Sequence, residues 1–313
     1  MMNRVNQRMA YGETLLALGG ENPNIVALDA DLCRSTMTSL FEQQYPERFF
    51  EMGIAEQNMM SVAAGLSLVG KIPFVSSFAV FAAGRTYDQF RQSVAVANLN
   101  VKVFGSSSGL SDFGDGATHQ AIDDIAIMSA IPNVSVFVPA DAVETAKIVR
   151  AMVMNPGPMY VRVCRNDLPV VTPEDDAEYR IGQVQTLRDG EDAVIFACGI
   201  MVRKALEAAS CLAENGVNAK VVNVSTIKPL DEAAIQAAAK GMKGVVTAEE
   251  HNVIGGLGSA ISRALRLQAQ RIEYVGVNDL FGQCADGYDE LLARYGLTVE
   301  AVVQAAERVV CVQ

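Results

Sequence analysis

The chain has 313 residues, half of them hydrophobic, which excludes a largely disordered protein and exceeds the usual size of one core, so two domains are expected. Its 25 Lys and Arg against 36 Asp and Glu give a net charge of −11, which argues against nucleic acid or an anionic membrane as partner but leaves room for local anion pockets. Cys33, Cys164, Cys198, Cys211, Cys284 and Cys311 are scattered without a C-x-x-C pair and read as reduced, mostly core residues of a cytoplasmic protein. The N-terminus lacks a secretory apolar core, and no uninterrupted apolar run of about 18 residues suits a membrane span.

In chain order, residues 9–19 carry a helical apolar pattern, and Asn24–Leu28 is a short buried strand ending in Asp29-Ala30-Asp31. A helix is expected over Gln57–Leu68, a strand over Pro73–Phe78, a helix over Tyr87–Ala97 and a strand over Val101–Gly105. Then come a helix (Ile122–Ala130), a strand (Val134–Val138), a helix (Ala142–Met154) and a strand (Met159–Val163). Residues 167–180, with two prolines and several acidic side chains, read as an exposed linker. A second unit follows, with strands at Ala193–Cys198, Ala219–Val224, Gly244–Ala248 and Arg271–Val275. Its helices are expected at Met201–Asn215, Asp231–Ala239, Gly258–Leu267 and Val299–Val310. The alternation predicts two consecutive α/β domains, each a mostly parallel sheet flanked by helices, at 1–168 and 191–313, with a linker over 169–190.

Three segments carry chemistry. The first is Gly53-Ile54-Ala55-Glu56-Gln57, a glutamate among apolar residues at a strand-to-helix junction. Alone, such a glutamate is a helix N-terminal residue favoured by the dipole. Paired with Phe78-Ala79-Val80-Phe81 at the end of the next strand, it reads as a carboxylate that shares a proton with a heteroaromatic ring stacked on the aromatic faces. The second is the Gly/Ser-rich loop from Ser106 to Gln120, ending Asp115-Gly116-Ala117-Thr118-His119-Gln120, whose histidine suits proton movement near neutrality. The third is Arg165, at the carboxyl end of a strand, where a guanidinium can bind phosphate; its alternative is a salt bridge to the acidic linker.

These motifs together resemble the pyrimidine-binding domain of transketolases, and Cys198-Gly199-Ile200, Thr226-Ile227-Lys228-Pro229-Leu230-Asp231 and Glu249-Glu250-His251 resemble the family's C-terminal domain. The resemblance implies thiamine diphosphate as cofactor, with Glu56 bonded to its aminopyrimidine ring, Phe81 stacked on that ring, Phe78 lining the pocket and Asp31 beside it. It implies that Asp115 reads a sugar hydroxyl, that His119 aids proton movement near the reacting carbons, and that Arg165 binds the sugar phosphate with Arg8 and Ser35. Ser107 stands where many transketolases carry a phosphate-contacting histidine, and Gly84 where some carry a third aromatic. His251 is expected to be structural, although the glycine-rich turn after it could bind an anion. The resemblance covers only half a full-length transketolase. The Gly-Asp-Gly…Asn-Asn segment that holds Mg2+ and the diphosphate in this family is not found, so no metal ligands are expected on this chain. A split transketolase follows: an N-terminal partner subunit, homodimerisation through both domains into a heterotetramer, and ketol transfer between sugar phosphates, by default those of the pentose phosphate pathway. A deoxyxylulose-phosphate synthase-like chain, a 2-oxo-acid dehydrogenase β-type subunit and a non-catalytic regulatory paralogue are the alternatives.

Overall fold

The computed structural model describes residues 4–175 and 177–311. The strands are β1 (Arg4–Asn6), β2 (Ile25–Asp29), β3 (Phe49–Glu51), β4 (Ile72–Phe78), β5 (Lys102–Ser106), β6 (Ser135–Phe137), β7 (Met159–Arg162), β8 (Asp167–Pro169), β9 (Gln185–Arg188), β10 (Ala193–Ala197), β11 (Ala219–Asn223), β12 (Thr226–Lys228), β13 (Gly244–Asn252) and β14 (Ile272–Val277). They form a seven-stranded sheet in the order β12-β6-β7-β5-β4-β2-β3, a five-stranded sheet in the order β14-β13-β10-β11-β9, and a small β1-β8 ladder. In the seven-stranded sheet every pairing is parallel except β12 with β6; in the five-stranded sheet every pairing is parallel except β11 with β9. β2, β5 and β10 are buried at every residue, as central parallel strands covered by helices on both faces must be.

Helices start where the sequence supplies acceptors. Asn6 caps Gln7–Glu21 by accepting from the Arg8 N–H, and Asp141 caps Ala142–Met154 by accepting from the Glu144 N–H. On the face of β5 under Gln7–Glu21, the Tyr11 ring stacks 3.5 Å from that of Phe104, and the Tyr11 hydroxyl shares a 2.7 Å hydrogen bond with Ser76.

Several expectations need correction. Residues 167–180 are not wholly exposed: Asp167–Pro169 pair with β1, and Thr172 is buried with its backbone N–H and hydroxyl donated to Asp141. The expected helix Tyr87–Ala97 is α-helical only over Tyr87–Gln89 and widens to a π-helical stretch at Phe90–Ala95. The short helices Cys33–Thr36, Ser39–Gln44 and Tyr288–Arg294, and the strands β3, β9 and β12, were not foreseen. Among the cysteines, Cys164 and Cys198 are core residues, but Cys211, Cys284 and Cys311 are exposed; all six are free.

The two halves are sewn together by buried polar groups. Arg162 at the end of β7 forms an ion pair with Asp124 (3.1 Å) and donates to the carbonyls of Ala121 and Glu250. The Glu250 carboxylate accepts from the Leu110 N–H at 2.7 Å and the Tyr288 hydroxyl at 2.8 Å. Burial pushes Glu250 up to about 7, a rise that nearby Arg162 opposes. Gly109 lies against this carboxylate with φ of +62°, where a Cβ would come within 2.2 Å of it, so the turn requires glycine on both counts.

Candidate functional site

The site lies along the carboxyl edge of the seven-stranded sheet, the edge where open parallel sheets bind ligands. Glu56 follows β3 as the first residue of the helix Glu56–Leu68 and is 4 % exposed. Its Oε1 receives Arg85 Nη1 at 2.6 Å. The Arg85 guanidinium carbon stands 3.9 Å from the centroid of Phe81, and Phe81 stacks at 6.1 Å on Phe78. His119 sets its edge against both rings, 5.3 Å from Phe81 and 6.2 Å from Phe78. Arg165 lies 5.7 Å over the other aromatic of the pair, Phe78, and its Nη1 meets Asp112 Oδ2 at 2.9 Å.

The row continues past Arg165. Asn6 Nδ2 donates to the Arg165 carbonyl at 3.1 Å, and Asn6 Oδ1 accepts from Arg8 Nε at 3.3 Å. Arg8 Nη1 donates to the Ser35 carbonyl at 2.9 Å. Burial, and secondarily the neighbouring Arg165, lower the Arg8 pKa. Two cations thus sit close enough to repel, an arrangement that favours an anion between them. By way of Arg85 and Asn6, contacts therefore connect Glu56, Phe81, Phe78, His119, Arg165, Arg8 and Ser35.

The other three candidates stand apart from this row. Asp31 is exposed with φ of +61°, its N–H donated to Glu51 Oε1 at 2.8 Å. Asp115 is exposed on the loop, at the start of the turn Gly116–Thr118. Ser107 is fully buried at a φ of +54°, and its hydroxyl has no partner among the described residues.

Two members of the row were missed as functional residues. Arg85 lies within the aromatic motif, yet nothing in the sequence says that it turns back onto Glu56. Asp112, three residues before Asp115, is the acidic residue of the loop that pairs with Arg165. Burial raises the Asp112 pKa and Arg165 opposes that rise. The available signal was only that the loop carries two acidic residues. The C-terminal half supports this loop: Gln120 Nε2 donates to the carbonyls of Asp112 and Gln283, and the Ala285 N–H donates to the Phe113 carbonyl.

The second domain's glycine-rich turn is already filled. Glu249 Oε2 and Oε1 accept the N–H groups of Leu257 (2.6 Å) and Gly258 (2.8 Å), so the anion at the start of that helix is the protein's own carboxylate. His251 is fully buried, with Nδ1 against the Asn252 carbonyl at 2.7 Å and Nε2 receiving the Ala126 N–H at 3.4 Å. That pattern defines a neutral imidazole, and burial lowers its pKa to about 4. Among the described residues, no group of three or more His, Cys, Asp and Glu side chains is placed to hold a metal ion.

Comparison with known proteins decides the family. Residues 3–172 match the transketolase pyrimidine-binding domain, and residues 182–307 match the transketolase C-terminal domain. The chain belongs to the transketolase family. This transketolase-family chain is 44 % identical to a putative transketolase C-terminal section of Methanocaldococcus jannaschii, over 95 % of this chain and 94 % of that one. It is 42 % identical to a 6-deoxy-6-sulfo-D-fructose transketolase subunit of a Clostridium species, over 96 % of this chain and 94 % of that one. Among solved structures it is similar to a split-gene transketolase described as an inactive β4 tetramer, with a TM-score of 0.89, 47 % identity, and coverage of 98 % of this chain and 99 % of that one.

Proposed function

We propose that the chain is the C-terminal subunit of a split, thiamine diphosphate-dependent transketolase that moves a two-carbon ketol unit from a ketose phosphate to an aldose phosphate. The observation that carries this reading is the row from the Glu56 carboxylate across Phe81, Phe78 and His119 to Arg165. A buried carboxyl group beside an aromatic face fits an aminopyrimidine, whose ring nitrogen needs a partner to share a proton with and whose plane needs a flat surface beneath it. A guanidinium already rests on that face and bonds that carboxylate, so the space accepts a cationic donor group. When bound, the cofactor supplies a carbanion and an electron sink for breaking and making a carbon–carbon bond.

The chain's own residues would divide the remaining work. Glu56 holds a proton at the pyrimidine edge, Phe81 and Phe78 fix the plane of the ring, and Asp31 borders the pocket. His119 moves a proton at the reacting carbons, and Asp115 reads a hydroxyl of the sugar. Arg165, Arg8 and Ser35 receive the phosphate, and the buried Ser107 hydroxyl would serve the substrate only from outside their row. Mg2+ and the diphosphate would be held by an N-terminal partner subunit, and pairs of each chain would form a heterotetramer in the cytoplasm. The relative described as an inactive β4 tetramer supports self-association through these domains and a need for that partner. Among the described residues, no helix is long and apolar enough to cross a membrane.

The test is a coupled assay of this chain with and without a transketolase N-terminal subunit, in thiamine diphosphate, Mg2+, xylulose 5-phosphate and ribose 5-phosphate. Turnover is expected only with both chains, and Glu56→Gln should lower it about 10²–10⁴-fold while leaving assembly intact. Unchanged turnover in that variant would overturn the cofactor assignment. Cofactor binding without turnover would keep the cofactor chemistry and send the search to other sugars, including sulfonated ones, given the Clostridium relative.

A further inference from the structure

We infer that Arg85 is an internal stand-in for the cofactor ring, a latch that fills the pyrimidine site of the unloaded chain and must leave when the ring enters. The inference rests on the assignment of Glu56 and Phe81 to the pyrimidine pocket. It adds a residue that this assignment does not require.

Three observations carry it. First, one guanidinium satisfies both groups that a pyrimidine would use. Its Nη1 bonds Glu56 Oε1 at 2.6 Å, and its carbon stands 3.9 Å from the Phe81 centroid. A ring cannot hold the same carboxylate oxygen and lie on the same face while Arg85 remains, so the two compete. Second, the unloaded chain needs such a group. The Glu56 side chain is 5 % exposed, and a buried carboxylate without a partner is costly. Third, the latch is built to move. The Arg85 side chain is 47 % exposed, so its other donors can return to water. It belongs to the π-helical turn Phe81–Arg85, and Gly84 beside it has open space where a side chain would stand. A rotation of the side chain alone would free Glu56 and Phe81 while the backbone stays in place.

The exchange replaces the guanidinium by a ring nitrogen that shares a proton with Glu56, so the buried carboxyl group has a partner in both states. Binding of the ring then carries the cost of breaking the Arg85 contacts, so those contacts set cofactor affinity by competition and not by support. A residue that merely positioned Glu56 for the cofactor would act in the opposite sense, and its loss would weaken binding.

The experiment is a calorimetric titration of thiamine diphosphate, with Mg2+ present, into the complex of this chain with its N-terminal subunit, comparing wild type with Arg85→Ala and Arg85→Gln. The Arg85 guanidinium is half-exposed, which screens its ion pair, and its cation–π contact is modest, so the expected gain in affinity is about three- to tenfold in both variants. Thermal unfolding of the isolated chain should show the reverse order, with Arg85→Ala melting below wild type because Glu56 loses its partner. Equal or weaker cofactor binding by both variants, with wild type binding normally, overturns the latch and leaves the pyrimidine site standing. No binding by wild type or variants overturns the latch together with the site on which it rests.

Discussion

At Arg165 a single guanidinium faces an aromatic ring, a buried carboxylate and open solvent, and the balance among them determines what the residue can do. Asp112 fixes one nitrogen at 2.9 Å and Phe78 backs the plane, yet the side chain remains 36 % exposed, which leaves donors for an incoming oxyanion. Replacing it removes charge-assisted hydrogen bonds worth about 1.5–3 kcal/mol. Arg165→Gln should therefore raise KM for a phosphorylated substrate about 10–100-fold while changing kcat little, because the contact is made equally in the ground and transition states. Steady-state kinetics of the two-chain enzyme checks this, and a loss confined to kcat would place Arg165 at the reacting atoms instead. The residue types and edge of the candidate site were legible in the sequence, since Phe78 ends a strand and Glu56, Phe81, His119 and Arg165 follow strand ends. What was not legible was pairing. Whether Asp112 or Asp115 meets Arg165, and whether Arg85 turns toward Glu56 or away, depends on loop geometry that brings residues 29 and 53 positions apart together.

Elements with uniform burial were legible for a simple reason: β2, β5 and β10 carry apolar cores, interrupted only by Asp29 at the end of β2 and by Lys102, Gly105 and Ser106 toward the ends of β5, and each is buried throughout. β3 and β12 are three residues each, and β12 is a strand of the C-terminal half that pairs antiparallel with β6 at the edge of the seven-stranded sheet. No local pattern encodes such a distant pairing. The linker hides a similar device. Asp141, 0 % exposed, uses Oδ1 to cap the helix Ala142–Met154 at the Glu144 N–H and to accept from the Thr172 hydroxyl. Its Oδ2 accepts the N–H groups of Val171 and Thr172 at 2.7 Å each. One carboxylate thus fastens the linker to a helix start, and Asp141→Ala would strand four donors, three of them backbone N–H groups. The expected cost is about 3 kcal/mol or more, since unpaired buried donors are expensive and the cap is lost as well. Limited proteolysis should then cut within residues 170–180 faster than in wild type. An unchanged cleavage pattern with a small shift in stability would mean that the β1–β8 ladder holds the linker without Asp141.

At the scale of the whole molecule, buried carboxylates at the domain junction (Glu250) and beside it (Glu249) are hard to ionise, and this gives the chain a pH dependence with a definite sign. Glu249 and Glu250 are raised to about 7, chiefly by burial, from an ordinary value of 4.5. Between those values the folded chain holds protons that the unfolded chain has released, so stability falls as pH rises through that window. His251 acts in the other direction, because its lowered pKa of about 4 makes the unfolded chain the better proton binder between 4 and 6.5. Glu250 separates the two effects. Its Oε1 accepts from Leu110 and Tyr288, and a glutamine carbonyl could keep both bonds. In Glu250→Gln the proton-linked part of this group is gone, so the denaturation midpoint should fall less between pH 5 and pH 8 than it does in wild type. The stability difference between the two proteins should move in favour of the variant as pH rises. Urea titrations of the full chain at several pH values measure this directly, and parallel pH curves would show that Glu250 stays ionised between the domains, held by Arg162 against the cost of its burial.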